Sequence, residues 1–251
     1  MIVREAEPQD EAGLAALGAA SPDGGAVAFT PEQHVPALQI AREHEISECF
    51  VAEADGVIAG TGQLDIGTCR FEGDDVRYAL LSALRVHPDY RRRGIAAELT
   101  ERRLRRAAEM AGRDATAVAY IQAGNAASLG NARRWATQVG GRLLSLVIGH
   151  NPAHLRAANA VLHVVPRDGR MRNLIADKAW FAPGRLYAAR YLWEVTRWEW
   201  RDAGTSLLLT HDPRSPVHDV VAARPWLPTT TATVAVRSRR PMRPQTIVEQ
   251  L

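Results

Sequence analysis

Short apolar runs, each about one strand long, alternate along this chain with longer stretches of helical period. IVREA, at residues 2–6, predicts a first strand, and PQDEAGLAALGAA a helix with Asp10 as its N-cap. SPDGG breaks the pattern. TPEQHVPALQIAREHE reads as helical from about Pro31, with Thr30 as cap and proline in the first turn. ECFVAEADGVIAGTGQLDI predicts a hairpin, because two apolar runs flank the two-residue turn Asp55-Gly56. DDVRYALLSALRV is nearly continuous in apolar residues, as a central strand would be. In GIAAELTERRLRRAAEMAG, Ile95, Leu99, Leu104, Ala108 and Ala111 keep near one helix face, and Gly112 stops the helix. TAVAYIQAG is a strand. NAASLGNARRWATQVGG predicts a helix opened by Asn125 and closed by Gly140-Gly141. RLLSLVIG and AVLHVVP are two further strands, joined by HNPAHLRAAN. The order to Pro166 is β-α-α-β-β-β-α-β-α-β-β.

After Pro166 the text changes. PRDGRMRN reads as a linker, and five of the six tryptophans lie beyond it: Trp180, Trp193, Trp198, Trp200 and Trp226. GRLYAARYLWEVTRWEWRDAG predicts a helix, TSLLLTHDPRSP a strand running into a loop, PVHDVVAA a short helix and TTTATVAVRS a last strand. The run RWEWRDAGTSLLLTHDPRS echoes AEMAGRDATAVAYIQAGNAAS: helix, turn, strand, small polar loop. Two readings stand level: a degenerate half-copy of the first domain, or helices that simply pack on it. The division is accordingly residues 1–166 as the first domain and 167–251 as an α/β extension, a half-lobe or a dimerisation element.

Composition narrows the class. A chain of 251 residues, 46% apolar and 24% charged, can bury a core of ordinary globular kind. No apolar run approaches a bilayer span, and the acidic, mixed N-terminus is neither signal nor transit peptide. The expected compartment is the cytoplasm. Cys49 and Cys69 match no metal spacing and read as free thiols. The basic residues are almost all arginine, Lys178 being the one lysine, as in a GC-rich bacterial genome. A net charge of +3 suits an anionic ligand without requiring nucleic acid.

The chemistry concentrates in VHPDYRRRGIAAELTERRLRR, from Val86. A strand ends there, a short turn follows, and Arg91-Arg92-Arg93-Gly94-Ile95-Ala96 leads into a helix. The free amides of a helix start converge on one place that the helix dipole makes positive. Gly94 has no side chain, Ala96 almost none, and the arginines add charge, so the segment describes a pyrophosphate cradle. Arg102, Arg103, Arg105 and Arg106 read instead as a solvated helix face, helped by the pairs Glu98–Arg102 and Glu101–Arg105.

Arg91-x-x-Gly94-x-Ala96, behind ALRVHPDY and in strand–turn–helix context, resembles the (Arg/Gln)-x-x-Gly-x-(Gly/Ala) signature of the GCN5-related N-acetyltransferases, the GNAT superfamily. The likeness spans about residues 1–166. It implies an α/β (α+β) fold: a central mixed, mostly antiparallel sheet, splayed where acetyl-CoA lies and flanked by helices. It implies that Leu84, Arg85 and Val86 pair with the pantetheine arm. It implies that the loop of Arg91, Arg92, Arg93, Gly94, Ile95, Ala96 and Ala97 takes the pyrophosphate. Asn125 falls where members often touch the pantetheine arm; it also reads as a helix N-cap.

The implied reaction is acetyl transfer from acetyl-CoA to a primary amine of a small molecule or peptide, by direct attack in a ternary complex, with no metal. A backbone amide near Val86 would stabilise the developing oxyanion. The tyrosine that many members use as general acid falls at Ala132 here, so Tyr120 is the stand-in candidate, against its reading as a sheet aromatic. For the base, the expected Glu is missing. Ser82 could position a water, and Asp65 is a candidate carboxylate that otherwise reads as a solvated strand end. Glu43, Glu45 and Glu48 could meet a cationic amine but read first as a solvated face. His87, His150, His163 and His211 form no metal spacing. No nucleic acid or membrane partner is expected; a homodimer is open. The second reading, from another class, is a non-catalytic acyl-CoA-binding regulatory or interaction module, suggested by Ala132.

Overall fold

In the computed structural model of the chain, residues 1–22, 36, 38, 45–71, 74–149, 173–176, 184–199, 206–221 and 229–243 are described. Strand β1 (Ile2–Glu5) runs antiparallel to β2 (Ile46–Ala54), and β2 turns into β3 (Val57–Phe71). The turn is Asp55-Gly56, with left-handed φ of 54° and 77° at its two residues. Asn, Asp and Gly tolerate that conformation, which is why the dipeptide marks a hairpin. Strand β4 (Asp74–Val86) lies antiparallel to β3, and β5 (Thr116–Gln122) parallel to β4.

The chain divides into two compact units, Met1–Gly140 with Thr233–Thr246, and Gly141–Ala232 with Ile247–Leu251. In the first, the sheet order is β1-β2-β3-β4-β5, followed by the part of β9 (Thr229–Arg237) that belongs to this unit. Helix α1 (Glu11–Ala20) buries Leu14 and Leu17. Helix α2 (Ile95–Ala111) lays Ile95, Leu99 and Ala107 against Phe50, Ala52, Leu64 and Ile66. Leu104 and Ala111, from the expected apolar face, pack at the edge of that core. Asp10 stands at the N-cap position of α1 without a side-chain cap bond. Its carboxylate instead receives both Arg4 Nη1 (2.7 Å) and Nη2 (2.9 Å) and the Glu7 amide, closing the 3-10 turn Pro8–Asp10.

The helix expected from Asn125 to Gly140 is shorter. Helix α3 spans Ala126–Ala132, and β6 (Gln138–Gly149) begins where the helix was to continue. Tight turns follow Ala132, with Trp135 N and Ala136 N both donating to Ala132 O. The chain then enters a sheet contact, Thr137 N donating to Val236 O at 2.9 Å. That partner is distant in sequence, and such pairing overrides local helix propensity.

In the second unit the part of β6 from Gly141 on, β7 (Asn173–Ala176) and β8 (Ser206–His211) take the order β6-β8-β7. β7 was not expected; it begins at Asn173, the last residue of the segment read as a linker. Helix α4 (Leu186–Glu199) and the short α5 (Val217–Val220) bury Ala189, Trp193, Val217 and Val220 with Leu146 and Leu209. Both thiols are free; burial is the main cause that pushes the Cys49 and Cys69 pKa upward. The expected helix start at Thr30 and Pro31, the strand AVLHVVP, and Glu43, His150, His163, Lys178, Trp180, Trp200 and Trp226 lie outside the described residues.

Candidate functional site

β4 and β5 are paired over a short length only. Tyr78, Ala79 and Leu80 stand opposite Thr116, Ala117 and Val118, and pairing ends there, although β4 runs on to Val86 and β5 to Gln122. The strands part, and among the described residues the edge of β4 on the β5 side has no strand partner past Leu80. His87 N donates to Ala59 O on β3 at 2.9 Å. In an antiparallel pair consecutive residues turn their polar backbone atoms to opposite edges. The N–H and C=O of Val86 therefore face the gap. Val86 O accepts Ser21 Oγ (3.1 Å) and Arg91 Nε (3.3 Å) on that side.

A second feature converges on the same gap. After the 3-10 turn Pro88–Tyr90 the chain takes left-handed φ at Arg92 (63°) and Gly94 (85°). For arginine this conformation costs about 1 kcal/mol, and such strain clusters at functional positions. A Cβ on Gly94 would enter open space. The ladder of α2 then opens with Ala97 N and Glu98 N, both donating to Gly94 O at 3.0 Å. Amides ahead of them have no helical carbonyl and point outward.

The gap and the helix start form one cleft of about 700 Å³. Leu84, Arg85 and Val86 form its strand wall, and Arg91, Arg92, Gly94, Ile95, Ala96 and Ala97 its helix wall. Asn125, Ser128 and Asn131 of the α3 segment close the third side. Asn125 also caps α3, its side chain accepting Ser128 N at 3.0 Å. Arg93 turns away from the lining: its guanidinium lies 4.7 Å from the Tyr90 ring centroid and 3.8 Å from Asp55. Amides, arginines and an open strand edge on one cleft form the donor set that a pyrophosphate followed by an amide-bearing arm requires, so the residues fit acetyl-CoA.

The three candidates for proton transfer do not line the cleft. Asp65 is not a solvated strand end. It sits in mid-β3 at 1% exposure. It accepts Gln63 Nε2 (2.8 Å), Ser82 Oγ (3.2 Å) and Ser47 Oγ. Ser82 and Asp65, 17 residues apart in the chain, are thus hydrogen-bonded to each other. Tyr120 is half-buried on β5, on the face opposite Ala119 and Ile121 by strand alternation. Ala132 is 3% exposed, buried with Ile121 and Ala235.

The arginine-rich face of α2 also needs correction. Arg105 pairs with Glu101 at 2.6 Å, as the spacing predicts. Arg106 grips Glu48 with Nε and Nη2, the shortest bond being 2.7 Å, and Glu45 pairs with Arg77. Arg103 is 1% exposed and lies inside the domain. Its burial was legible in one respect: Ile95, Leu99, Arg103 and Ala107 follow one another at four-residue steps along the buried stripe.

Residues 21–136 match the model of the acetyltransferase (GNAT) family. The match is to a GNAT domain over this part of the chain. Solved structures similar to the chain include an acetyltransferase from Vibrio fischeri (18% identity, 47% of this chain and 94% of that one, TM-score 0.36). An aminoglycoside 6′-N-acetyltransferase from Acinetobacter haemolyticus matches at 15% identity over 53% of this chain and 88% of its own, TM-score 0.43. A probable N-acyltransferase of unknown function from Enterococcus faecalis matches at 8% identity over 93% of this chain and 72% of its own, TM-score 0.49. No curated protein matches the chain.

Proposed function

We propose that the first unit binds acetyl-CoA and transfers its acetyl group to a primary amine of a small molecule or peptide, by direct attack in a ternary complex. The observation that carries this reading is the cleft in which the end of β4, past its pairing with β5, meets the Gly94 helix start. Bound there, acetyl-CoA supplies an acyl carbon made electrophilic by its thiol leaving group. The amides around Gly94 and Ala96, with Arg91 and Arg92, hold the pyrophosphate. The edge of β4 from Leu84 to Val86 orients the pantetheine arm as an added strand, and Asn125 bonds the same arm. The Val86 amide donates where negative charge builds on the acyl oxygen.

Ser82 Oγ donates a hydrogen bond to Asp65 and so keeps its oxygen lone pairs for a water. The pair takes up the amine proton through that water. Tyr120 is the candidate that returns a proton to the leaving thiolate. Release of free thiol from acetyl-CoA, measured against a panel of amines, tests the reading. Amine-dependent release that Asp65→Asn reduces at least tenfold supports it. Tight acetyl-CoA binding with no release for any amine favours the second reading, a non-catalytic acyl-CoA-binding module. The buried Ala132 at the position expected for tyrosine is the observation behind that alternative.

A further inference from the structure

The registers on either side of Gly62 do not match. Thr61 stands opposite Arg85 and Gln63 opposite Ser82, so one residue of β3 faces two of β4, Ala83 and Leu84. This is a β-bulge, and Ala83 takes a left-handed φ of 49°. A bulge takes backbone groups off the ladder, and buried ones need other partners. Arg103 supplies one: its Nη1 donates to Gln63 O and to Ser82 O, both at 3.0 Å.

The guanidinium reaches this spot because Gly62 leaves room. A Cβ there would stand 2.7 Å from Arg103 Cζ. The other guanidinium nitrogens bind within α2, Nε to Leu99 O (3.2 Å) and Nη2 to Thr100 Oγ1 (3.3 Å). Thr100 is a hub: its hydroxyl donates to Ala96 O (2.7 Å) and accepts Asn131 Nδ2 (2.9 Å). Leu84, Ala96 and Asn131 each line a different wall of the cleft. One chain of hydrogen bonds thus ties together the bulged strand, the cradle and α3.

Burial of this cation is costly; it pulls the Arg103 pKa down to about 10. Its hydrogen bonds go to carbonyls and a hydroxyl. A leucine or methionine at that place in the stripe would avoid the penalty. Stability alone does not account for it, whereas a need to fix the bulge does.

We propose that Arg103 is a positioning residue for acyl transfer, bracing the β4 bulge through Gln63 O and Ser82 O so that the backbone from Leu84 to Val86 faces the acyl end of the cleft. This rests on the acetyl-CoA reading above.

The test uses the full chain with Arg103→Met, and with Gly62→Ala, which crowds the guanidinium and keeps its charge. Two quantities are read: dissociation constants for acetyl-CoA and for CoA by calorimetry, and amide hydrogen exchange across residues 82–86. A hydrogen bond from the braced backbone to the acyl oxygen gives wild type about a fivefold preference for acetyl-CoA over CoA. Each variant is expected to lose that preference while CoA affinity changes less than about threefold. Exchange at 82–86 is expected to quicken more than exchange in β2. Equal losses for both ligands, or a preference that persists with unchanged exchange at 82–86, overturn the proposal. If wild type binds neither ligand, the acetyl-CoA reading fails by itself. The exchange arm then decides the brace alone: exchange unchanged at 82–86 overturns it, and exchange quickened there supports it.

Discussion

Gly62 and Arg103 share one volume: the space that a side chain on Gly62 would fill is held by the Arg103 guanidinium, 2.7 Å from the position of a Cβ. The two residues sit on different elements, β3 and α2, so the match fixes how the helix that begins at the cradle seats on the sheet. Gly62→Ala is expected to destabilise the protein by about 1–3 kcal/mol through overpacking. Arg103→Met removes the clash, so the double variant is expected to lose less than the sum of the singles. Denaturant titration of the four proteins measures this; strict additivity would show that the two do not meet.

Asp10 and Arg4 anchor β1 to the turn before α1, with bonds of 2.7 and 2.9 Å. The Arg4 guanidinium, against the opposing effect of burial, holds the Asp10 carboxyl below its usual value of 3.8. A carboxyl whose folded pKa is depressed contributes stability above its unfolded pKa and loses it as pH falls through the folded one. Asp10→Asn is expected to cost about 1–2 kcal/mol at neutral pH. The gap to wild type is expected to close as pH drops below 3.8. Melting curves from pH 7 downward follow it.

In the second unit His211 Nε2 and His218 Nδ1 lie 3.0 Å apart, and His211 is buried. Burial first, and the His218 charge second, lower the His211 pKa from 6.5 to about 4, with Asp212 opposing. The unfolded chain therefore binds a proton that the folded chain refuses between those values. Stability contributed by neutral His211 is full above pH 6.5 and is lost on acidification toward pH 4. His211→Gln is expected to flatten this part of the stability profile by up to about 3 kcal/mol. An unchanged slope between pH 6.5 and 4 would assign the titration elsewhere.

Asn125 has two tasks in this account, and a substitution separates them. Serine keeps an N-cap acceptor for Ser128 N, so Asn125→Ser is expected to melt within about 0.5 kcal/mol of wild type. It shortens the reach into the cleft, so acetyl-CoA affinity is expected to fall about fivefold. Calorimetry beside thermal melting distinguishes the roles.

Local chemistry made part of this legible. Asp55-Gly56 announced its hairpin because few residue pairs tolerate two left-handed φ values in succession. The three arginines and Gly94 announced the cradle because an anion site at a helix start demands those residue types. What stayed hidden depends on distant partners. Nothing in ARRWATQVGG says that Thr137 will pair with Val236 and end α3 early. Asp65 and Arg103 looked like surface because isolated charges are seldom buried. Their burial follows from Ser47, Gln63 and Ser82 around one, and from the bulge opposite Gly62 around the other.

Everything proposed for the first unit depends on acetyl-CoA entering the cleft between the end of β4 and the Gly94 helix start. Calorimetric titration of acetyl-CoA into wild type and Gly94→Glu tests it most directly. The substitution sends a negative side chain into space where a Cβ meets nothing, at a residue with φ of 85°. Wild type is expected to bind saturably, with affinity lost by at least a hundredfold in a variant that still melts cooperatively. Equal binding by the two proteins, or none by wild type, contradicts it.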